Sequence, residues 1–400
     1  MPRELVLANG LRVLVVERPG TGLVAVDLRY RAGSRHEPRG RTGLAHLTEH
    51  LMFAPGHMTE LEGLGAVYDA DTWFEHTAYH TLVRPQHLER VLRLEAARMR
   101  ESPRRLGAQR EVVRAEVLQR VFAFPYGTHL PHLLPLCHPF GHTPAGIEED
   151  LDAITLRDCV AFHRNWYVPG NAVLAVVGDV PTATAIELAA LAFTPVPPGR
   201  TELIAPELPG RYVTGEAPPR LTVPEPQPLP AVYQAFRLPP EGGAEIEAAD
   251  LALRVLAAGE GSRLHRRLAE EGAQSVEVDV HRFAVASSLA IVKVHAAPGS
   301  DLAAMERAVT DEIAELAAGG FRAGELARAK AMATRAALER VETVGGLAAE
   351  LTLEAVQTGE AGRALTAARR IAAVTEPAAL AAVWRLGAPA GVLTYLPKES

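Results

Sequence analysis

Two histidines and a glutamate stand close together in the stretch His46-Leu47-Thr48-Glu49-His50. The apolar residues around them predict a helix, which places His46 and His50 on the same face, one turn apart. Two imidazoles at this spacing can bind one metal ion, and Glu49 leans toward the same side. The order HxxEH is the reverse of the commoner HExxH, and it predicts a zinc ion with a carboxylate beside it.

A catalytic zinc ion needs one more protein ligand than this motif supplies. Such an ion takes three protein ligands and keeps one position for water. Glu49 is not counted among them, because a general base must stay free to accept the proton of that water. Another carboxylate or imidazole is therefore required, and composition leaves many candidates. The chain contains 15 histidines, so the alternative interpretation is that His46 and His50 are ordinary, partly buried side chains.

The elements around the motif follow from apolar periodicity and turn residues. Asn9-Gly10 joins two apolar runs and predicts an N-terminal hairpin. Val24 to Tyr30 alternates in polarity and predicts a half-buried strand. The pattern predicts further strands over 66–83 and 172–177 and helices over 87–100 and 107–121.

The second half of the chain repeats this order of elements. A strand over 232–238 precedes a helix from about Ala248, another helix and strands near 275–296, and Ala-rich helices cover 301–317, 322–340 and 345–358. Eight prolines between Pro206 and Pro230 predict a linker. We therefore expect an α+β protein with two structurally similar halves, each a mostly antiparallel sheet flanked by helices. The predicted divisions are a zinc-binding half (1–205), a Pro-rich linker (206–230) and a metal-free half (231–400).

Composition narrows the possible partners and the compartment. The chain has 400 residues, 48% of them hydrophobic, and a formal charge of −7 without a long basic run, which argues against nucleic acid. Its two cysteines, Cys137 and Cys159, form no disulfide framework and favour a reducing compartment. The N-terminus lacks the pattern of a signal peptide, and no segment has the length of a membrane span. We expect a cytoplasmic protein without a membrane partner.

Four further histidines lie close together in sequence, in a Pro-rich stretch that predicts a loop. Their density raises the possibility of a second metal ion, but we interpret them as surface or packing residues. They are His129, His132, His138 and His142.

Longer motifs resemble the pitrilysin/insulinase family of inverted-motif zinc metallopeptidases, in the bacterial branch similar to mitochondrial processing peptidase. Residues 33–37 (GSRHE) leading into 43–53 (GLAHLTEHLMF) carry the likeness, together with 109–116 (QREVVRAE). The family's third zinc ligand falls on Glu116. Gln109 stands where the family has an acid that supports the site from outside the coordination sphere. The resemblance implies a zinc metalloendopeptidase that cleaves unfolded or small peptides, with Glu49 as the general base.

A third stretch resembles the family's substrate-binding strand. Residues 65–79 are similar to its G-x-x-x-N-A-x-T-x-x-D-x-T-x-Y segment, whose edge pairs with the substrate backbone. This implies substrate contacts at Asp69, Ala70 and Thr72. Asp69 stands where Asn is usual, so these contacts differ from those of relatives.

The resemblance breaks in the second half. Active relatives carry an Arg–Tyr pair there, which helps to hold the scissile carbonyl. The Arg position falls on Ala269, and the Tyr position falls on Gln274 or Ser275. We therefore expect a homologous partner subunit to supply the pair in a heterodimer. The alternatives are a self-sufficient homodimeric peptidase and a non-catalytic assembly subunit of the same fold.

Overall fold

The computed structural model describes residues 1–53, 55–120, 129–199, 217–225 and 229–397. The strands are β1 (Arg3–Val6), β2 (Arg12–Glu17), β3 (Val24–Tyr30), β4 (Val67–Thr72), β5 (Thr77–Val83), β6 (Ala172–Gly178), β7 (Arg220–Glu225), β8 (Ala231–Leu238), β9 (Ala273–His281), β10 (Ser288–Ala296) and β11 (Gly391–Pro397). The helices are α1 (Leu44–Met52), α2 (Pro55–Gly63), α3 (Leu88–Arg100), α4 (Leu106–Arg120), α5 (His129–Cys137), α6 (Glu148–Ala153), α7 (Leu156–Trp166), α8 (Thr182–Phe193), α9 (Ala244–Ala257), α10 (Arg263–Leu268), α11 (Leu302–Gly319), α12 (Glu325–Arg340), α13 (Val344–Gln357), α14 (Ala367–Ala373) and α15 (Glu376–Leu386). None of the helices described here combines the length and apolar character that crossing a membrane requires.

The chain groups into two compact units. Unit 1 comprises Met1–Gly127, His142–Leu208 and Leu338–Thr366, and unit 2 comprises Thr128–Gly141, Pro209–Ala337 and Ala367–Ser400. Each unit therefore takes one helical segment from the other half of the sequence, α13 in unit 1 and α5 in unit 2. The predicted division into residues 1–205, 206–230 and 231–400 stays a prediction. The two units differ from it because each combines segments from both halves of the sequence.

The two sheets have the same topology. In unit 1 the strand order is β1-β2-β6-β3-β5-β4, and in unit 2 it is β7-β11-β8-β10-β9. The pairs β2–β6 and β7–β11 are parallel, and the other pairs are antiparallel. Leaving aside the hairpin strand β1, the two orders correspond strand for strand. The expected fold class, two similar α+β halves with mostly antiparallel sheets, is confirmed.

The predicted N-terminal hairpin and the predicted strand over residues 24–30 are present, with one difference in burial. Asn9 and Gly10 connect β1 and β2, and Gly10 has a φ of +92°, the left-handed conformation that this turn requires. Strand β3 is buried along its whole length, whereas its alternating sequence predicted a half-buried strand. The reason is that helix α13 packs on the second face of the sheet and covers Asp27 and Arg29.

Part of the predicted linker is a strand. β7 occupies Arg220–Glu225 and pairs only with β11, so it forms an edge of the second sheet, where a proline is tolerated. The rest of the Pro-rich stretch, residues 206–216 and 226–228, lies outside the described residues.

The sequence predicted a loop around the four clustered histidines. This prediction is wrong for the first part of the stretch, which forms helix α5. Its Pro131 lies in the first turn, where a backbone N–H has no helical partner to lose. Leu130, Leu133 and Leu134 are fully buried, and α5 packs on β11 and β8. Burial of this apolar stripe outweighs the low helix propensity of its prolines.

Charged side chains link strands β3, β5 and β4 in unit 1, with Asp27 and Arg29 buried and His80 partly exposed. His80 donates a hydrogen bond through Nδ1 to Asp27, and its Nε2 atom lies 2.6 Å from Asp71 Oδ1. Arg29 Nη2 lies 3.7 Å from Asp27 Oδ2, and Thr352 Oγ1 donates to Asp27 Oδ1 at 2.5 Å. Burial opposes a charge on His80, but the two carboxylates prevail and raise its pKa to about 10. The imidazolium therefore ties β5 to both of its neighbouring strands.

We predict that His80→Gln weakens the dependence of stability on alkaline pH. The raised pKa stabilises the folded state fully below the unfolded value of about 6.5, and this stabilisation is lost as the pH rises toward about 10. The loss in the unsubstituted protein is on the order of 1 kcal/mol, because the partly exposed ring reduces the effect. Urea unfolding midpoints across this pH range measure it, with His87→Gln as the control. An equal alkaline loss in His80→Gln would contradict the assignment.

Candidate metal centre

The motif helix α1 begins at a buried carboxylate. Glu37 accepts hydrogen bonds from the backbone N–H groups of Gly43, at 3.0 Å, and Ala45, at 2.8 Å. His142 Nε2 lies 2.9 Å from Glu37 Oε2. Gly43 has a φ of +89°, and a Cβ there would lie 2.8 Å from Leu151 Cδ2. A carboxylate is favourable at this end because helix N-termini carry partial positive charge.

The other end of α1 meets a buried cation. Arg98 donates to the carbonyl oxygen of Met52 at 2.8 Å, and Glu95 Oε2 accepts from Arg98 Nε at 3.0 Å. The guanidinium also lies over the rings of Phe53 and Tyr79, 4.9 and 4.1 Å from their centres. Opposite charges therefore hold the two ends of α1, and each matches the helix dipole.

The structure brings three of the predicted donors together. The Nε2 atoms of His46 and His50 are 3.2 Å apart, and Glu116 Oε2 lies 3.3 Å from the first and 3.5 Å from the second. Zinc bonds of about 2.0–2.1 Å at tetrahedral angles require donor atoms about 3.3 Å apart. The three side chains thus fit a zinc ion without rearrangement.

The charges of these donors favour a cation. Although burial acts to raise the pKa of Glu116, its contacts with His46 and His50 lower it far below the usual value. Burial acts to lower the pKa of His50, but Glu116 and Glu49 raise it. Each of these shifts records negative charge facing the imidazoles. A divalent ion bound between them would take the place of the proton that this field favours.

Glu49 lies beside the donors and is held by a strand. Its Oε2 accepts a hydrogen bond from Thr72 Oγ1 at 2.8 Å, and its side chain is buried. Burial raises the pKa of Glu49, and the neighbouring imidazoles of His46 and His50 oppose that rise. The carboxylate of Glu49 is therefore buried, oriented by Thr72 and close enough to both imidazoles to interact with them electrostatically.

Helix α4 contributes Glu116 and Gln109 from one face. The two residues are separated by two helical turns, with buried Val113 between them, and α4 packs on α1. The side-chain amide of Gln109 hydrogen-bonds His50 and contributes to its raised pKa. Gln109 thus contacts a proposed ligand, as the sequence comparison with the family led us to expect.

The predicted substrate residues lie on β4, an edge of the first sheet. Trp73 N–H donates to His76 O at 2.8 Å, so the alternation of an antiparallel pair turns the backbone groups of Thr72 and Ala70 to the free edge. Asp69 Oδ1 accepts from the N–H of Ala70 at 2.9 Å. The side chain of Thr72 points to Glu49, and the residue is buried, so Thr72 contacts the proposed base from within the fold.

The positions expected for the Arg–Tyr pair lie in unit 2. Ala269 ends α10 and is exposed, and Gln274 is exposed on β9. The neighbouring arginines are engaged with acids of the same unit. Arg266 pairs with Glu325, and Arg267 pairs with Asp311, Glu312 and Glu315. Neither arginine is therefore a ready substitute for the expected one.

Sequence reasoning missed the roles of Glu37 and Arg98. Both are buried ionisable residues on segments outside α1; Glu37 contacts backbone N–H groups six and eight residues later, and Arg98 contacts a carbonyl 46 residues earlier. Arg98 lies on the apolar face of the helix predicted over 87–100, with Val91, Leu94 and Glu95. The signal available in the sequence was the charged pair Glu95 and Arg98 on a helix face that should be apolar.

We predict that Gln109→Glu tightens zinc binding by roughly tenfold, because partners that hydrogen-bond a ligand commonly change metal affinity by about 10–100-fold. A carboxylate accepts the His50 hydrogen bond more strongly than an amide and adds negative charge. Competition with a chromophoric chelator measures the dissociation constant. Glu111→Gln, on the exposed side of the same helix, is the control. Unchanged affinity in Gln109→Glu would show that the amide contact does not influence the metal.

Comparison with known proteins assigns two family models to the chain. A family model described as Insulinase (Peptidase family M16) matches residues 12–118, which include His46, Glu49, His50 and Glu116. A second model, described as Peptidase M16 inactive domain, matches residues 153–333.

The related proteins match over about half of the chain. It is 33% identical over 199 residues to the zinc protease PqqE of Helicobacter pylori, covering 46% of this chain and 45% of that protein. It is 25% identical over 210 residues to the beta subunit of the mitochondrial-processing peptidase of Blastocladiella emersonii, covering 48% and 44%. The match spans less than half the length of either relative.

The fold is shared over the whole chain. The crystal structure of a protease from Helicobacter pylori superposes with a TM-score of 0.88 at 23% identity, covering 100% of this chain and 99% of that chain. With both family models matched and the order of elements shared, the chain belongs to the pitrilysin/insulinase family, peptidase family M16.

Proposed function

We propose that this chain is the zinc-binding subunit of an endopeptidase that cleaves unfolded or small peptides. The observation that carries the proposal is the meeting of His46, His50 and Glu116 at tetrahedral donor spacing, with Glu49 held beside them by Thr72. A purely structural subunit has no need for all four groups. The name of the relative PqqE, a zinc protease, supports the same chemistry.

The chemistry divides between the ion and Glu49. A zinc ion at this site would lower the pKa of a bound water and polarise the scissile carbonyl. Glu49 accepts the proton of the attacking water and returns it to the leaving amine. Thr72 keeps the carboxylate oriented between these two transfers.

The substrate adds as a strand to the free edge of β4. Outward backbone groups such as those of Ala70 offer main-chain hydrogen bonds, which give affinity with little demand on sequence. The N–H of Ala70 is held by Asp69, so a substrate carbonyl must displace that carboxylate. We expect cleavage of peptides in extended form, including a leader segment or general peptide fragments.

A homologous partner subunit supplies the missing Arg–Tyr pair in this proposal. Ala269 cannot donate a hydrogen bond from its side chain, and Arg266 and Arg267 are paired with acids of unit 2. Losing one donor to the developing oxyanion costs about 10²–10³ in rate. We place the protein in the cytoplasm, since both of its cysteines are free and buried.

Cleavage of a pool of unfolded peptides, followed by mass spectrometry, tests the proposal. We predict that the zinc-loaded chain alone cleaves slowly, and that adding a related chain that carries the Arg–Tyr pair raises the rate by about 100-fold, since a restored oxyanion donor is worth that much. Glu49→Gln in the zinc-binding chain should abolish cleavage and serves as the blank. Zinc content is measured throughout.

Three other outcomes decide between the alternatives. Fast cleavage by the unsubstituted chain that Glu49→Gln abolishes would establish the peptidase and make the partner unnecessary. No cleavage by any form that holds zinc would favour the assembly subunit. Cleavage that persists in Glu49→Gln would remove the proposed base from the reaction.

We predict that Thr72→Val lowers kcat of the form that cleaves by roughly fivefold, because one lost hydrogen bond is worth about 1 kcal/mol. Zinc content should not change, since Thr72 contacts Glu49 and no donor of the metal site is altered. Thr81→Val, a buried threonine on the adjacent strand, is the isosteric control. A fall in zinc content with an unchanged kcat per bound zinc would contradict the role given to Thr72.

A further inference from the structure

A second group of metal-binding side chains lies in unit 2, away from the motif. His129 begins α5, and Asp279 and His281 follow one another on the same face of β9. Their potential ligand atoms all lie within 4.8 Å of one another. His129 Nε2 and Asp279 Oδ2 are 3.6 Å apart, near the spacing of about 3.3 Å that tetrahedral zinc requires.

The His129 side chain is poorly satisfied where it lies. Only 5% of the residue is exposed, and its Nε2 atom has no hydrogen-bond partner among the described residues. A buried polar nitrogen without a partner costs about 1–3 kcal/mol. The atom points to Asp279 across a distance too long for a hydrogen bond and suited to an ion between them.

The protonation of the two imidazoles also suits an ion. Burial lowers the pKa of His129 to about 3, with contributions from His281 and Lys293, and burial lowers the pKa of His281. Both rings are therefore neutral at neutral pH, the form in which histidine binds metals. With Asp279 they make a donor set of two nitrogens and one carboxylate, which is typical of zinc.

The neighbouring polar residues bear on the affinity. His295 is already engaged, by Tyr233 at 2.8 Å and Ser275 at 3.0 Å, so it is not among the donors. Lys293 Nζ lies 3.0 Å from Asp279 Oδ2 and 2.9 Å from Glu277 Oε2. An ion must compete with this ammonium group for Asp279, while Glu277 remains available to hold the lysine.

We propose that His129, Asp279 and His281 bind a second divalent metal ion of the zinc class, which ties α5 to β9. The consequence is structural. Helix α5 follows α4, which carries Glu116, along the chain, and its prolines give it low intrinsic stability. A metal link at its first residue fixes the start of the helix in the fold.

Metal counting tests this independently of any peptidase activity. The chain is stripped, reloaded with zinc, gel-filtered and analysed by mass spectrometry for metal and protein. We predict about two zinc ions per chain, and about one in a His46→Gln, His50→Gln variant that lacks the motif site. Adding His129→Gln should remove the remaining ion, whereas His132→Gln on the same helix should leave it. In the double variant, zinc should also raise the melting temperature, and His129→Gln should abolish that rise.

Two further variants keep the test decisive if His129→Gln fails to fold. Asp279→Asn should also remove the second ion. Lys293→Met should lower its dissociation constant, because the competing cation is gone. The proposal is overturned if the double variant holds no zinc, or if its zinc remains after both His129→Gln and Asp279→Asn. Absence of any affinity gain in Lys293→Met would exclude Asp279 as a ligand.

Discussion

The metal centre depends on how helix α1 is held at its two ends. Glu37 accepts the N–H groups that the first turn leaves unpaired, and Arg98 donates to the carbonyl of Met52 where the helix ends. Each contact places a charge where the helix dipole favours it. Both charged groups are buried, so water competes little for them. The positions of His46, Glu49 and His50 follow from this fixed helix, since all three lie within its nine residues.

The remaining parts of the site reach α1 from separate elements. Helix α4 brings Glu116 to the two histidines and Gln109 to His50, and strand β4 brings Thr72 to Glu49. The buried Asp27–His80–Asp71 contacts tie β4 to the sheet from its other face. The proposed base, the proposed ligands and the proposed substrate edge are thus positioned by one connected set of polar contacts.

The two units use one topology for different purposes. Both sheets place a parallel strand pair and three antiparallel partners in the same order, and each takes a helix from the other half of the sequence. In unit 1 the edge strand β4 borders the motif helix. In unit 2 the corresponding edge strand β9 carries Asp279 and His281, which face α5. The family model described as an inactive domain matches residues 153–333, which include β9 and lack the HxxEH motif.

The sequence by itself determined the fold class, most elements and the pair of histidines, because these depend on local periodicity and spacing. His46 and His50 share a face wherever a helix forms, and residues 172–177 are apolar enough to be a strand in any context. Glu116 and Gln109 came from the family resemblance, since no local rule pairs them with α1. Only the tertiary structure decided that α13 covers Asp27, that Thr72 holds Glu49, and that His129 begins a helix beside Asp279 and His281. Each of these contacts joins segments far apart in sequence, where burial and charge pairing override the local pattern.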